Sequence, residues 1–162
     1  MDVQLDIQLA IECEHFPDEK QLKIWILSAL EHTNISLISP SLTLRVVSME
    51  ESEQLNSNYR DKSHATNVLS FPFEPPEGVD FSQSDTFLNE YLGDLVICAK
   101  LVEKEANNQL KLVESHWAHL IIHGTLHLLG FDHIEEDQAN TMESLEIAIL
   151  ASCGFGNPYI IR

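Results

Sequence analysis

The segment Ser115–Leu129, SHWAHLIIHGTLHLL, constrains the fold more than any other part of the chain. Trp117, Ala118, Leu120, Ile121, Ile122, Leu126, Leu128 and Leu129 put apolar groups on nearly every side of a helix. A helix that is apolar all round is a buried one. Yet His116, His119, His123 and His127 recur along it at steps of three, four and four residues. At 3.6 residues per turn those steps make one stripe. Each imidazole buried without a partner costs about 1–3 kcal/mol. A single divalent cation satisfies several at once, so the stripe predicts a metal site at the end of a buried helix.

The third ligand comes from beyond the helix. If the helix continued, residue 133 would point about 120° away from residue 127 and lie about 9 Å farther along the axis. Gly130 resolves this, because glycine accepts the left-handed conformation that ends a helix and lets the chain turn back. The pattern HxxxHxxGxxH therefore assembles His123, His127 and His133 from one helix and one turn. Three protein ligands leave a fourth tetrahedral corner open, as in catalytic rather than structural zinc sites. The expected load is one zinc per chain, although imidazoles also suit nickel, copper or iron. His116 and His119 fall outside the set, as supporting, structural or solvent-facing residues. Asp132 either supports His133 or the metal site, or stabilises the turn.

The spacing is that of the long zincin signature HExxHxxGxxH with one change. Where those proteases carry the glutamate that acts as general base, this chain has Gly124. The metal geometry is kept and the peptidase base is absent, which disfavours proteolysis. A metalloprotease or other zinc hydrolase remains the alternative activity.

The rest of the chain supplies the frame. VQLDIQL, residues 3–9, alternates as a half-buried strand does. A helix over 18–32 opens at Asp18 and turns Leu22, Trp25, Ile26, Ala29 and Leu30 to one face. Residues 42–47 read as a second strand, and Ser48 with Glu51 has capping-box spacing for a helix to about Tyr59. A polar loop, 60–66, precedes a strand at 67–73 stopped by Pro72. An acidic loop with Pro75, Pro76 and Gly78 follows, then a strand at 91–98. Three helices come next: from Ala99 to about Asn108, Val113 to Leu129, and Glu135 to Ala151. Strands early and helices around them predict an α+β fold with a small mixed sheet of about four strands covered by about five helices. With 162 residues and no linker or repeat, one domain over 1–162 is expected.

Composition sharpens the function. The formal charge of −17 opposes a polyanionic substrate at long range, so a nucleic-acid reading needs local positive charge. Cys13, Cys98 and Cys153 form no CxxC pair and read as reduced core thiols of a cytoplasmic protein. No apolar run is long enough for a membrane span. The start, MDVQLDIQLA, lacks the basic-then-apolar pattern of an export signal.

Several blocks together resemble the YbeY family of bacterial metal-dependent endoribonucleases, implicated in ribosomal RNA maturation and ribosome quality control. HGTLHLLGFDH fits the family pattern H-G-x-L-H-L-x-G-[YF]-D-H. LNSNYRDKSHATNVLSFPFE at Leu55–Glu74, YLGDLVIC at Tyr91–Cys98, and the tail MESLEIAIL…GFGNPY ending at Tyr159 agree with it. The resemblance covers most of the chain from about residue 50 onward. It implies that His123, His127 and His133 bind zinc and that Arg60 is functional. It also implies a single-strand-specific endoribonuclease of small-subunit ribosomal RNA 3′-end maturation, with ribosomal RNA and the ribosome or its proteins as partners. A zinc-stabilised, non-catalytic ribosome-associated protein is the other reading.

Physically, Arg60 suits phosphodiester cleavage, since a guanidinium binds two non-bridging oxygens at once. The plain alternative is that it caps the helix before it. Lys62 adds charge to the same loop, and Lys100, Lys104 and Lys111 extend a positive cleft if they face it. Otherwise a ribosomal partner supplies the basic surface.

Overall fold

A computed structural model of the protein describes residues 2–74 and 90–160, and the acidic loop with Pro75, Pro76 and Gly78 lies outside the described residues. The alternating start forms β1 (Gln4–Leu9). Helix α1 (Glu19–His32) opens on a complete capping box: Asp18 accepts from the Gln21 amide at 2.8 Å and the Gln21 side chain accepts from the Asp18 amide at 3.2 Å. Its buried side chains are Leu22, Trp25, Ile26, Ala29 and Leu30, the face the spacing predicts.

After β2 (Ser41–Val47), helix α2 (Met49–Arg60) starts at Ser48, whose hydroxyl accepts from the Glu51 amide at 3.2 Å. The return half of that box is replaced. The Glu51 carboxylate takes Arg45 Nε at 2.6 Å and Nη2 at 3.0 Å, a charged two-point contact stronger than a bond to a neutral amide. Helix α2 also ties down the polar loop after it. Buried Ser52 exchanges hydrogen bonds with the Thr66 backbone, and buried Asn56 donates to the His64 carbonyl at 2.8 Å.

Strands β3 (Val68–Pro72) and β4 (Tyr91–Cys98) complete a sheet of order β1-β2-β4-β3. The first three in that order run parallel and β3 is antiparallel to β4, paired from Val68 with Ile97 to Pro72 with Gly93. Asn67 and Phe73 both bond to β4, so by strand alternation the Ser70 backbone faces the other side of β3, which no strand pairs among the described residues. Pro72 shares that outward parity, where a missing N–H costs no ladder bond.

Helices α3 (Ala99–Asn108), α4 (Val113–Leu128) and α5 (Glu136–Ser152) follow. The main core joins α1, α4 and α5 to one sheet face, with Leu44, Leu95, Ile97, Trp117 and Ile121 among its buried members. Burying each such large apolar side chain contributes about 1.5–3 kcal/mol. A second cluster on the opposite face, Val47, Leu69, Val96 and Cys98, lies against Leu55 of α2. The architecture is the α+β arrangement the residues predict, a mixed four-stranded sheet with five helices among the described residues. Cys98 is buried, Cys13 and Cys153 are half-buried, and all three are free thiols. Among the described residues no helix is long and apolar enough to cross a membrane.

Candidate metal centre

Helix α4 lies on β3 and β4 at Gly124. A Cβ there would stand 2.7 Å from Leu95 Cδ2 and 3.4 Å from both Ser70 Oγ and Val68 Cγ2. The position that carries a general base in zincin proteases is therefore filled by the sheet, and it points away from the imidazole stripe. Ser70 Oγ donates to the Gly124 carbonyl at 3.3 Å and pins strand to helix at this crossing.

Two residues past His127 the chain leaves the helix by a Schellman turn. The Phe131 amide bonds to the Leu126 carbonyl and the Gly130 amide to the His127 carbonyl, both at 3.0 Å. Gly130 sits at φ +100°, a conformation that L side chains rarely adopt. Asp132 then accepts from the His133 amide at 2.7 Å, so its carboxylate braces the turn.

The turn returns His133 to the stripe. Ring centroids of His123, His127 and His133 are 4.6, 5.0 and 5.6 Å apart pairwise. One nitrogen from each lies within 4.8 Å of the other two. His123 Nε2 and His127 Nε2 are 3.1 Å apart. In a tetrahedral site with Zn–N bonds of 2.0–2.1 Å, neighbouring nitrogens stand about 3.3 Å apart. The donor set fits a borderline-soft dication. Burial first, and then the adjacent His123 and His133, push the His127 imidazole down and favour the neutral form that ligates.

Behind this triad lies a carboxylate that the sequence reading does not single out. Glu146 of α5 is fully buried and accepts from His123 Nδ1 and from the Tyr159 hydroxyl, with His119 Nε2 at 3.7 Å. With Nδ1–H donating to Glu146, His123 keeps a bare Nε2 that could ligate a dication, the arrangement typical of metal-binding histidines. Burial raises the Glu146 carboxyl, but the hydrogen bonds from His119, His123 and Tyr159 outweigh it and hold the group at about 2. Burial first, and then the same contact, push the Tyr159 phenol up and keep it a donor. The signal for Glu146 was present: it stands in a buried stripe with Met142, Ile149 and Leu150, where a carboxylate requires partners.

The other two histidines have separate places. His116 is buried and contacts Glu105 at 2.9 Å, and Glu105 also accepts from Asn67 at 3.0 Å. His119 lies between His116 and His123 and 3.4 Å from the Tyr159 hydroxyl.

Arg60 ends α2, and its side chain does not cap that helix. Its Nη2 donates to the Ser70 carbonyl, on the side of β3 away from β4, at 2.7 Å, and its guanidinium carbon is 5.6 Å from the Phe71 ring centroid. Through Ser70 it is joined to the strand that crosses α4 at Gly124, beside His123. It is exposed and is not one of the groups converging on the histidines.

A family model described as Endoribonuclease YbeY matches residues 7–154. The chain is also similar to a solved structure, the solution structure of TM1509 from Thermotoga maritima. The match has 18% identity and a TM-score of 0.54 over 98% of this chain and 99% of that one. At that identity the likeness is one of fold.

Proposed function

The chain belongs to the YbeY family of endoribonucleases, metal-dependent enzymes of ribosomal RNA processing, and from that premise we propose that it is a zinc-dependent nuclease cutting single-stranded RNA. One observation supports this reading above the rest. Three imidazoles converge on a helix whose Gly124, standing where a peptidase keeps its base, is held by the strand to which Arg60 of α2 is bonded.

His123, His127 and His133 would hold one zinc per chain, and a dication there supplies Lewis acidity at a phosphoryl oxygen. Glu146 fixes the His123 tautomer and ring. Arg60 orients the scissile phosphate. One of its five N–H donors is spent on Ser70, and the rest remain for non-bridging oxygens whose charge grows in the transition state. RNA brings its own 2′-hydroxyl as a nucleophile, and water is the alternative attacking group. The substrate in cells is ribosomal RNA at the small-subunit 3′ end. The work is maturation and quality control, in the cytoplasm on or near ribosomes. A ribosomal surface offsets the repulsion between a chain of charge −17 and RNA.

The test uses full-length, zinc-loaded protein with single-stranded RNA and casein, with and without chelator, beside Arg60→Glu. The expected result is RNA cleavage by wild type alone, stopped by chelator, with casein intact and zinc still near one per chain in the variant. RNA cleavage unchanged in Arg60→Glu removes Arg60 from the mechanism. Ribosome binding with no cleavage by any preparation leaves a non-catalytic zinc protein instead.

A further inference from the structure

The metal centre is flanked by two cavities that both reach His123. One, of about 360 Å³, is bounded by His133, Glu143, Glu146 and Tyr159 and has no lysine or arginine on its wall among the described residues. The other, of about 640 Å³, runs from His123 past His119 and His116 to Lys111. His123 and His116 are seven residues apart on α4, a rise of about 10 Å, so this cleft leads away from the histidines for at least the span of a nucleotide. A chain carrying 26 acidic and nine basic residues has few places to receive a phosphate. The larger cleft sets Lys111 against one carboxylate, Glu105, which His116 and Asn67 already engage, whereas the smaller holds Glu143 and Glu146 with no lysine or arginine, so charge favours the larger.

Its walls match a nucleotide. Val68, Leu120, Pro158 and Tyr159 give apolar and ring surface for a base, and Asn108 and Gln109 give polar groups for its edge. Lys111 is the one lysine or arginine on the wall among the described residues; Lys100 and Lys104 of α3 do not line it. Lys111 Nζ donates to the Pro158 carbonyl at 2.7 Å, which fixes the ammonium on the cleft wall. Two of its three N–H donors remain.

We propose that this cleft holds the nucleotide next to the scissile phosphate of a single-stranded RNA, and that Lys111 binds the phosphate on that nucleotide's far side. The proposal rests on the endoribonuclease reading and gives the RNA strand its path: over the histidines and along α4 toward Lys111. Arg60 and Lys111 then hold successive phosphates, and Lys111 is a positioning residue.

The experiment is fluorescence anisotropy with a short single-stranded 2′-O-methyl oligoribonucleotide, which resists cleavage, across a salt series. Cleavage of the unmodified oligonucleotide is measured in parallel. All variants are zinc-loaded and checked for melting temperature. Lys111→Gln is expected to weaken binding about fivefold and to reduce the slope of log Kd against log salt by about 0.7, the value for one phosphate contact on a single strand. Lys111→Arg restores binding, and Lys100→Gln leaves it unchanged. Asn108→Asp, which spares the Pro158 bond, weakens binding as well and keeps the test decisive if Lys111→Gln does not fold. Wild-type affinity and slope in Lys111→Gln, or in Asn108→Asp, overturn the proposal, as does an equal loss in Lys100→Gln. Lys111-dependent binding without cleavage overturns the nuclease reading and leaves the cleft assignment standing. Cleavage with Lys111-independent binding does the reverse.

Discussion

Replacing Gly124 with glutamate recreates the HExxH of a zincin protease and asks which way that position faces. A Cβ at residue 124 meets Leu95 Cδ2 at 2.7 Å, whereas carbon pairs rest at about 3.5–4.0 Å. Leu95 is fully buried and must shift by about 1 Å in a close-packed core. Overpacking of that kind costs about 1–3 kcal/mol, and alanine's helix preference over glycine returns about 1 kcal/mol. Gly124→Ala therefore loses up to about 2 kcal/mol. Glutamate adds an unpaired carboxylate against Val68 and Leu95, which brings the total to at least about 3 kcal/mol. A chain of this size loses about 2–4 °C of Tm per kcal/mol, so Gly124→Glu drops by at least about 6 °C and Gly124→Ala by less. The assay is thermal unfolding with zinc and with chelator, paired with casein hydrolysis. A Gly124→Glu variant of wild-type stability that hydrolyses casein refutes the packing argument, because the residue would then face the metal.

Two more substitutions probe the centre. Glu146→Ala removes the acceptor behind His123 and should weaken zinc about 10- to 100-fold in competition with a chromophoric chelator; unaltered affinity means Glu146 does not act on the ligand. Gly130→Ala meets no atom within 4 Å, so its cost comes from φ +100° alone. It amounts to about 1–2 kcal/mol, or about 2–8 °C by thermal unfolding. An unchanged Tm contradicts the claim that the turn needs glycine.

Local signals carried much of this structure. The caps at Asp18 and Ser48, the apolar face of α1 and the alternation of β1 are written in neighbouring residues and reappear in place. The convergence of the three histidines was legible because they lie within eleven residues and Gly130 marks the bend. Relations between distant segments were not. The order β1-β2-β4-β3 depends on pairings that no stretch of sequence encodes alone. Glu51 deserts its capping box for Arg45 because β2 brings that arginine alongside α2, a contact set by tertiary packing. Glu146 stands 23 residues beyond His123 on another helix, and only the packing of α5 on α4 brings the two together. The family resemblance pointed to Arg60, but the sequence did not reveal its bond to the Ser70 carbonyl, which depends on that carbonyl pointing away from β4. Lys111 was one of three lysines near the cleft by sequence, and the fold separates it from the other two.

The central claim is that three imidazoles share one dication. X-ray absorption at the zinc edge of the full-length protein, with its stoichiometry from elemental analysis, tests it most directly. The account predicts one zinc per chain, with imidazole nitrogens at about 2.0–2.1 Å and the signal lost in His127→Ala. A protein that takes up no transition metal, or a zinc spectrum without imidazole scattering, contradicts it.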